Sequence, residues 1–202
     1  MRITAGELHG RVLQSVRDKN VRPTSSKTRE ALFNILGSVE NFKVLDLYAG
    51  TGSVGFEAIS RGASSVCMVD VSGKLLRTIK ETAEKWNVAE RVICRKNDAV
   101  CFAMQALQSL EKYDLIFADP PFTENYPDLR ICLPLLTENG FAVFEMPSRN
   151  TPQWASEAAK VRNYGESNLV IFQTSEVHSQ LSTPYPGCSH LSPAPSVSSV
   201  QC

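Results

Sequence analysis

The chain has 202 residues, 43% of them apolar and 21% charged, and its 21 basic side chains balance 21 acidic ones. This length and composition are typical of one globular domain with small additions, and they exclude a disordered or fibrous chain. No apolar run approaches the roughly 20 residues needed to cross a bilayer, and the N-terminus lacks the apolar stretch of a signal peptide. The six cysteines form no CxxC pair. We therefore expect a cytoplasmic protein with reduced thiols, no membrane segment and no metal site.

The net charge of zero hides a basic N-terminal arm. Residues 1–30, called the basic arm below, carry seven basic and three acidic side chains, a net charge of +4. The other 172 residues therefore sum to −4. Such an arm can contact phosphate groups locally without making the chain a general polyanion binder. On charge alone, however, a solvated surface is the preferred interpretation.

Residues 1–37 are predicted to fold as a β-hairpin followed by a helix. Residues 2–5 and 11–16 have the composition of strands and are joined by a turn that contains two glycines. A helix is predicted over residues 27–36, because their apolar side chains share one face, and Gly37 is placed to end it.

Beyond residue 37 the sequence alternates strand and helix signals. The predicted strands cover residues 44–47, 65–69, 92–94, 115–118 and 141–144. The predicted helices end at Ser60 or cover residues 74–86, 100–110, 129–136 and 153–159. This alternation predicts a parallel, doubly wound sheet. A closing hairpin, formed by residues 161–164 and 169–173, predicts that the last strand runs antiparallel to the rest.

The end of the chain has the composition of a disordered tail. No charged residue follows Glu176, and residues 179–202 contain seven serines and four prolines. Such a segment cannot bury enough apolar surface to offset the loss of chain entropy. The predicted organisation is an N-terminal hairpin and helix over residues 1–37, a domain over residues 38–176 and a tail over residues 177–202.

A glycine-rich turn links the first predicted strand to the next helix. Its sequence is Asp46-Leu47-Tyr48-Ala49-Gly50-Thr51-Gly52-Ser53-Val54-Gly55. Glycines let the backbone turn tightly and let a ligand approach without hindrance from a Cβ atom. Asp70, at the end of the second predicted strand, can accept hydrogen bonds from ribose hydroxyls. The pattern indicates a nucleotide-like ligand, and taken alone it also satisfies the dinucleotide-binding fingerprint.

Two further carboxylates help to separate the candidate ligands. Asp46 lies inside the end of its strand, a position that suits a cationic ligand such as S-adenosylmethionine (SAM), which carries a sulfonium and an ammonium group. Asp98 and Ala99 follow the third predicted strand, where a carboxylate can accept a hydrogen bond from an adenine amino group. Asp98 is equally typical of an N-cap for the next helix, and the two roles are compatible.

The sequence Asp119-Pro120-Pro121-Phe122 follows the fourth predicted strand. The prolines stiffen the loop and remove two backbone donors, so the loop presents the Asp119 carboxylate and the Pro120 carbonyl as acceptors. An exocyclic base amine is a poor nucleophile because its lone pair is delocalised into the ring. Two acceptors on its N–H bonds would localise that lone pair toward a methyl sulfonium. Phe122 is placed to stack on the base, a contact worth roughly 1–3 kcal/mol.

These four residues resemble the signature of amino-group methyltransferases that act on adenine N6 or guanine N2. The rest of the chain narrows the resemblance to the RsmD family, whose members methylate a guanine N2 in small-subunit ribosomal RNA. The similarity covers about residues 1–175 and leaves the tail outside. Its further motifs are Met1-Arg2-Ile3-x-Ala5-Gly6, Gly10-Arg11-x-Leu13, Arg22-Pro23-Thr24-Ser25-x-Lys27-x-Arg29-Glu30-Ala31-Leu32-Phe33-Asn34-Ile35-Leu36, Leu45-Asp46-Leu47-Tyr48-Ala49-Gly50-Thr51-Gly52 and Ala58-x-Ser60-Arg61-Gly62-Ala63.

The resemblance implies a Rossmann-like class I SAM-dependent methyltransferase, with a mostly parallel seven-stranded sheet, an antiparallel last strand and a small N-terminal hairpin and helix. Carried over position by position, the residues implied to bind SAM are Asp46, Gly50, Gly52, Asp70, Asp98 and Ala99. Those implied to form the catalytic base site are Asp119, Pro120 and Phe122. The basic arm is expected to supply RNA contacts from Arg11, Arg22, Thr24, Lys27 and Arg29. Asp70 and Lys27 stand where the family usually has glutamate and arginine.

We therefore expect an enzyme that uses SAM to methylate guanine N2 in 16S ribosomal RNA, as a monomer acting on the RNA or on a ribosomal particle, without a metal. Adenine-N6 methylation of DNA is a close alternative that would use the same four residues, although the chain has no evident separate sequence-reading domain. An NAD-dependent oxidoreductase is an alternative of a different class, which the glycine fingerprint allows but which gives Asp119 and Phe122 no function. A non-catalytic RNA-binding module is disfavoured by the intact acceptor and stacking ring.

Overall fold

The computed structural model describes residues 1–13, 26–121 and 126–174. The α-helices within these residues are α1 (Ser26–Leu36), α2 (Ser53–Ser60), α3 (Gly73–Lys85) and α4 (Ala99–Gln108). The strands are β1 (Lys43–Leu47), β2 (Ser65–Asp70), β3 (Val92–Lys96), β4 (Tyr113–Ala118), β5 (Leu136–Pro147), β6 (Lys160–Tyr164) and β7 (Ser167–Gln173). Short 3-10 helices cover Ala89–Arg91, Leu129–Leu135 and Gln153–Glu157.

These strands form a seven-stranded sheet in the order β3-β2-β1-β4-β5-β7-β6. Strands β1 to β5 pair in parallel, and β7 lies antiparallel between β5 and β6. The predicted doubly wound sheet and its antiparallel last strand are therefore confirmed. The order of the strands reverses between β1 and β4. In open sheets of this kind, ligands bind beside such a reversal, in the crevice at the carboxyl ends of the strands.

The central strands are buried on both faces, as expected of a parallel sheet that is covered on two sides. Val44 of β1 belongs to a cluster of buried apolar side chains on one face of the sheet, called the front cluster below. This cluster also includes side chains of the N-terminal segment (residues 1–13), α1, α2 and α3. The alternate residues Leu45 and Leu47 belong to a back cluster, shared with α4 and the 3-10 helix Leu129–Leu135. Burial of one such side chain contributes about 1.5–3 kcal/mol. The two clusters therefore fix the strands, and with them the strand ends that form the crevice.

The N-terminal segment packs on the front cluster but forms less sheet than predicted. Ile3 and Leu8 are buried there at 0% and 3% exposure. The predicted hairpin is reduced to one antiparallel bridge between Arg2 and Val12. Residues 14–16 of the second predicted strand lie outside the described residues.

Gly6 explains why the segment turns early. Its φ is +80°, in the left-handed region, and a Cβ atom there would lie 1.7 Å from the carbonyl oxygen of Ser60 at the end of α2. The neighbouring N–H of Glu7 donates to that same oxygen at 2.8 Å. The backbone therefore leaves the hairpin to contact α2, and only glycine fits at the closest approach.

Two segments predicted as helices form 3-10 helices, and the strands of the sheet are all longer than predicted, β5 most of all. Pro134 lies inside Leu129–Leu135 and has no N–H for an α-helical hydrogen bond. The last predicted helix shortens to Gln153–Glu157. Strand β5 continues beyond its predicted end because its antiparallel ladder with β7 runs as far as the pair Pro147 and Ser167.

A buried ion pair joins the N-terminal segment to α1 and α2. Glu57 and Arg29 have no exposed side-chain surface, and Oε2 of Glu57 lies 3.2 Å from Nε of Arg29. Glu57 also accepts the backbone N–H and the hydroxyl of Thr4, at 2.9 and 2.6 Å. The other donors of Arg29 reach Sδ of Met1 and the carbonyl of Arg2, both at 2.7 Å. The prediction that Arg29 binds RNA is therefore wrong, because its guanidinium is buried and its donors are used inside the protein.

The predicted division of the chain stays a prediction. The N-terminal segment and α1 share the front cluster with the sheet, and the described chain continues through residue 37 without a break. The predicted tail over residues 177–202 lies outside the described residues. In the part of the chain that the structure describes, no helix combines the length and the apolarity needed to cross a membrane.

Candidate active site

The glycine-rich turn after β1 is built from left-handed backbone. Gly50 and Gly52 have φ angles of +55° and +77°, and Tyr48 has +62°. Gly52 donates its N–H to the carbonyl of Ala49 at 2.7 Å, and α2 begins at the next residue. Since β1 ends at the crevice, this turn presents the N-terminus of α2 at the crevice edge.

Asp46 is a buried carboxylate beneath this turn. It is 2% exposed, and its Oδ2 accepts the N–H of Gly55 at 3.0 Å. Burial raises the pKa of Asp46 to about 7; the bond from Gly55 opposes this rise, and the charge of Asp70 adds to it. No lysine or arginine within the described ranges forms a salt bridge with Asp46. A buried carboxylate without such a salt bridge favours a ligand that brings a cationic group.

Asp70, at the end of β2, fastens the turn to the neighbouring strand. One carboxylate oxygen accepts the N–H of Gly50 at 2.8 Å, and the other accepts the N–H of Ser72 at 2.8 Å. Each carboxylate oxygen has a second lone pair. The carboxylate can therefore hold the turn and still accept hydroxyl donors from a ligand. The sequence did not indicate that Asp70 also holds the glycine-rich turn in place.

Asp98 follows β3 and caps α4. Its Oδ1 accepts the N–H groups of Val100 and Cys101 at 2.9 and 3.0 Å. The predicted N-cap is therefore confirmed. Asp98 remains exposed, and Ala99, the first residue of α4, is buried at 4% exposure. The carboxylate thus lies on the surface at the carboxyl end of β3, beside the end of β2.

Asp119 and Pro120 follow β4 at the point where the strand order reverses. The register of β1 and β4 pairs Leu47 with Ala118, so Asp119 begins its loop next to the glycine-rich turn. Asp119 is half-buried and Pro120 is buried. Phe122, which is predicted to stack on the base, lies outside the described residues.

Two further residues at this edge of the sheet were not predicted from the sequence to belong to the site. The hydroxyl of Tyr126 donates to the carbonyl of Pro120 at 3.3 Å, and that oxygen keeps a second lone pair for another donor. Val71 follows Asp70 and is 66% exposed, which leaves apolar surface beside a polar strand end. An apolar residue just past a strand-ending acid was the available signal for Val71. Nothing in the sequence indicated the bond from Tyr126.

The residues predicted to bind RNA are only partly described. Lys27 is exposed on α1. Arg11 is exposed too, and its guanidinium carbon lies 5.7 Å from the ring centroid of Trp86. Arg22 and Thr24 lie outside the described residues. The structure therefore places two of the predicted cations on the surface and leaves their contact with RNA a prediction.

The carboxylates of the site gather at one edge of the sheet. Asp46, Asp70, Asp98 and Asp119 lie at the carboxyl ends of β1, β2, β3 and β4, which are adjacent strands. Among the described residues, no group of three or more potential metal ligands occurs. The crevice therefore offers anions and hydrogen-bond acceptors, and it suits a ligand with a cationic group and several donors.

Comparison with known proteins identifies the family. The family model described as "Conserved hypothetical protein 95" matches residues 1–173. The Ribosomal RNA small subunit methyltransferase D of Buchnera aphidicola is 30% identical over an alignment of 186 residues, and the match covers 85% of this chain and 93% of the relative. The chain belongs to the RsmD family. The protein of the same name from Escherichia coli is 32% identical over an alignment of 150 residues, and the match covers 72% of this chain and 71% of the relative.

Solved structures agree with the RsmD-family assignment in fold. A Thermus thermophilus protein of 25% identity has a TM-score of 0.74 and covers 85% of this chain and 98% of its own. An RNA methyltransferase from Salinibacter ruber, solved in complex with S-adenosyl-L-homocysteine, has 14% identity and a TM-score of 0.60, and it covers 75% and 93% of the two chains. The second likeness concerns the fold alone.

Proposed function

We propose that this protein uses SAM to methylate the exocyclic N2 amine of a guanine in small-subunit ribosomal RNA. The observation that carries the proposal is the meeting of two acceptor groups, at Asp119 and Pro120, with the glycine-rich turn and its carboxylates where the strand order reverses. The glycine-rich turn with its carboxylates suits the methyl donor SAM, and the two acceptor groups suit an amine. The names of the curated relatives support ribosomal RNA as the substrate.

The carboxyl ends of β1 to β3 fit the groups of SAM. The buried Asp46 would face the ammonium of the methionine part, because an uncompensated anion gains most from a cation in a buried site. Asp70 would accept the ribose hydroxyls, and Asp98 the adenine amino group. Val71 offers the adenine ring an apolar surface. When bound, SAM supplies an electrophilic methyl group on its sulfonium.

Asp119 and Pro120 would hold the acceptor amine. The carboxylate and the carbonyl each accept one N–H of the amine, which turns its lone pair toward the crevice. Phe122 would stack on the base and fix the plane of the ring. A base inside a helix must leave its stack to reach these groups, at a cost of a few kcal/mol. We therefore expect the target guanine to lie in a loop or a weak pair.

Mass spectrometry of nucleosides tests the proposal. RNA and DNA are incubated with the protein and SAM, digested and analysed. We expect N2-methylguanosine in small-subunit ribosomal RNA. N6-methyladenine in DNA would support the alternative substrate instead. Binding of SAM and RNA without any methylated nucleoside would indicate a non-catalytic module, and calorimetric binding of NAD in place of SAM would indicate an oxidoreductase.

Asp70→Ala is expected to weaken SAM binding by about 10- to 150-fold, since one charge-assisted hydrogen bond is worth ~1.5–3 kcal/mol. The loss should appear mainly in the KM for SAM. Calorimetric titration measures it directly. Glu81→Ala, which removes an exposed acid from α3, should leave the affinity unchanged. Wild-type affinity in Asp70→Ala would show that Asp70 does not contact the cofactor.

The affinity for SAM is expected to fall as the pH is lowered from about 7.5 to about 6. With a pKa of about 7, Asp46 becomes protonated over this range in the free protein, whereas the cationic ligand favours the carboxylate. The Kd should therefore rise by roughly five- to tenfold. Asp46→Asn, which cannot ionise, should bind weakly at every pH and show a flat profile. A flat profile in the wild-type protein would contradict the pairing.

Replacing Arg11, Arg22 and Lys27 by glutamine is expected to weaken RNA binding and to flatten its salt dependence. Each lost phosphate contact should lower the slope of log K against log salt by about 0.7–0.9. SAM affinity should change little on loss of Arg11 or Lys27. The control replaces Lys160 and Arg162, exposed cations of β6, and should keep the wild-type slope. An unchanged slope in the triple variant would mean that these side chains of the basic arm do not contact RNA phosphates.

A further inference from the structure

A second carboxylate lies beside the proposed base site. Glu145 is near the carboxyl end of β5 and is 4% exposed. The residues that precede it in the strand, from Phe141 to Phe144, are apolar. A carboxylate is rarely buried unless it forms hydrogen bonds or ion pairs. The position of Glu145 in the sheet indicates which ligand group it can bind.

The register of β4 and β5 brings Glu145 next to Asp119. The pair Phe117 and Val143 belongs to the front cluster, and the next pair, Ala118 and Phe144, belongs to the back cluster. Side chains alternate along a strand. Glu145, the next residue of β5, therefore turns to the front again. Asp119 directly follows β4, so the two residues lie at the ends of neighbouring strands, which are spaced about 4.8 Å apart.

The neighbouring strand β7 gives independent support for this orientation. Glu145 is the register partner of Leu169, and directly opposed residues of an antiparallel pair lie on the same face of the sheet. Leu169 is fully buried in the front cluster. Asp46 also faces the front, because its register partner on β4 is Phe117. The carboxylates of β1 and β5 therefore share one face of the sheet at the crevice, and Asp119 follows β4, the strand between them.

Guanine matches two adjacent carboxylates. Its Watson–Crick edge carries the N2 amine beside a ring N1–H, so it presents donors at neighbouring positions. Adenine has a bare N1 acceptor in the ring, which an ionised carboxylate repels because it is itself only an acceptor. With Asp119 and Pro120 on the N2 amine, a second carboxylate at the neighbouring strand end is placed to accept the N1–H.

We infer that Glu145 selects guanine by accepting its N1–H. The inference rests on the proposed function and adds to it the residue that distinguishes guanine from adenine. Glu145 takes no part in the transfer itself; it fixes the base so that the N2 amine lies between Asp119 and Pro120. A site built around such a donor rejects bases that lack it, because an ionised carboxylate repels a ring nitrogen that is itself only an acceptor.

The test uses a base that differs from guanine at N1 and at position 6, and it changes one group of the protein. The methylated guanine is first mapped in ribosomal RNA, and the RNA is then assembled with guanine or 2,6-diaminopurine at that position. 2,6-Diaminopurine keeps the N2 amine but has no N1–H. The wild-type protein should prefer guanine in kcat/KM by about 10- to 150-fold. Glu145→Gln, whose amide can donate to a bare N1, should bring the ratio to within a few-fold of one.

Glu138→Gln is the matched control, because Glu138 is an exposed acid at the other end of β5. It should keep both turnover and the preference for guanine. A variant Glu145→Gln that loses activity equally on both bases would overturn the inference, since a structural role would have that effect. A wild-type ratio near one would overturn it without any variant. Absence of N2-methylguanosine altogether would instead refute the proposed function.

Discussion

Asp119→Ala is expected to lower kcat by about 100-fold or more while the affinity for SAM changes by no more than a few-fold. The carboxylate contacts the acceptor amine in the proposed site, directly after β4, and is not one of the groups assigned to the cofactor. Its removal leaves the lone pair of the amine delocalised into the ring. Single-turnover transfer of labelled methyl measures the loss, and calorimetry measures SAM binding.

Asp119→Asn is the matched control for this effect. It keeps the shape of the side chain and one acceptor oxygen but loses the charge, so we expect turnover between those of the wild type and Asp119→Ala. Equal turnover by Asp119→Ala and the wild type would remove the proposed mechanism. A parallel loss of SAM affinity would move Asp119 from the base site to the cofactor site.

The order of strands and helices could be predicted because each central element carries its own local signal. Strand β1 is a short apolar run that ends in a glycine-rich turn, and β4 ends before two prolines. Such signals act over a few residues and do not depend on the rest of the fold. The position of β7 between β5 and β6 had no such signal, because it depends on pairing between distant segments.

The same distinction applies to the site. Asp46, Asp70 and Asp119 each end a strand, and parallel strands end at one edge of a sheet, so their gathering followed from the predicted topology. The burial of Arg29 could not be predicted, because its partner Glu57 lies 28 positions away in the sequence. A basic arm read from charge alone therefore included a side chain that serves the core.

Glu57 is the residue on which most of this buried pairing depends. Besides Thr4 and Arg29, it accepts the backbone N–H of Ala5 at 3.1 Å and Nε of Arg61 at 2.9 Å. It lies one turn into α2, directly after the glycine-rich turn. One carboxylate thus holds the N-terminal segment and α1 against α2, the helix that begins at the glycine-rich turn.

Glu57→Ala is expected to destabilise the protein by about 3–5 kcal/mol, because it leaves the charge of Arg29 buried without its partner. For a chain of this size, that loss corresponds to a fall in Tm of roughly 6–20 °C. Calorimetric or circular-dichroism melting measures it. Glu30→Ala, which removes the exposed acid next to Arg29 on α1, should stay within about 0.5 kcal/mol of the wild type. A similar Tm for both variants would show that the buried pair contributes nothing.

The pH dependence of stability gives the same prediction a second, independent readout. Burial by itself would raise the pKa of Glu57, but hydrogen bonds from Thr4 and Arg61 and the charge of Arg29 outweigh it and hold the pKa below its usual value. A carboxyl group with a lowered pKa stabilises the fold at pH values above its unfolded pKa, and this contribution is lost as the pH falls through the folded pKa. The wild type should therefore lose stability more steeply than Glu57→Ala as the pH drops below about 4.5. Parallel pH profiles for the two proteins would mean that the charge of Glu57 is not what stabilises the cluster.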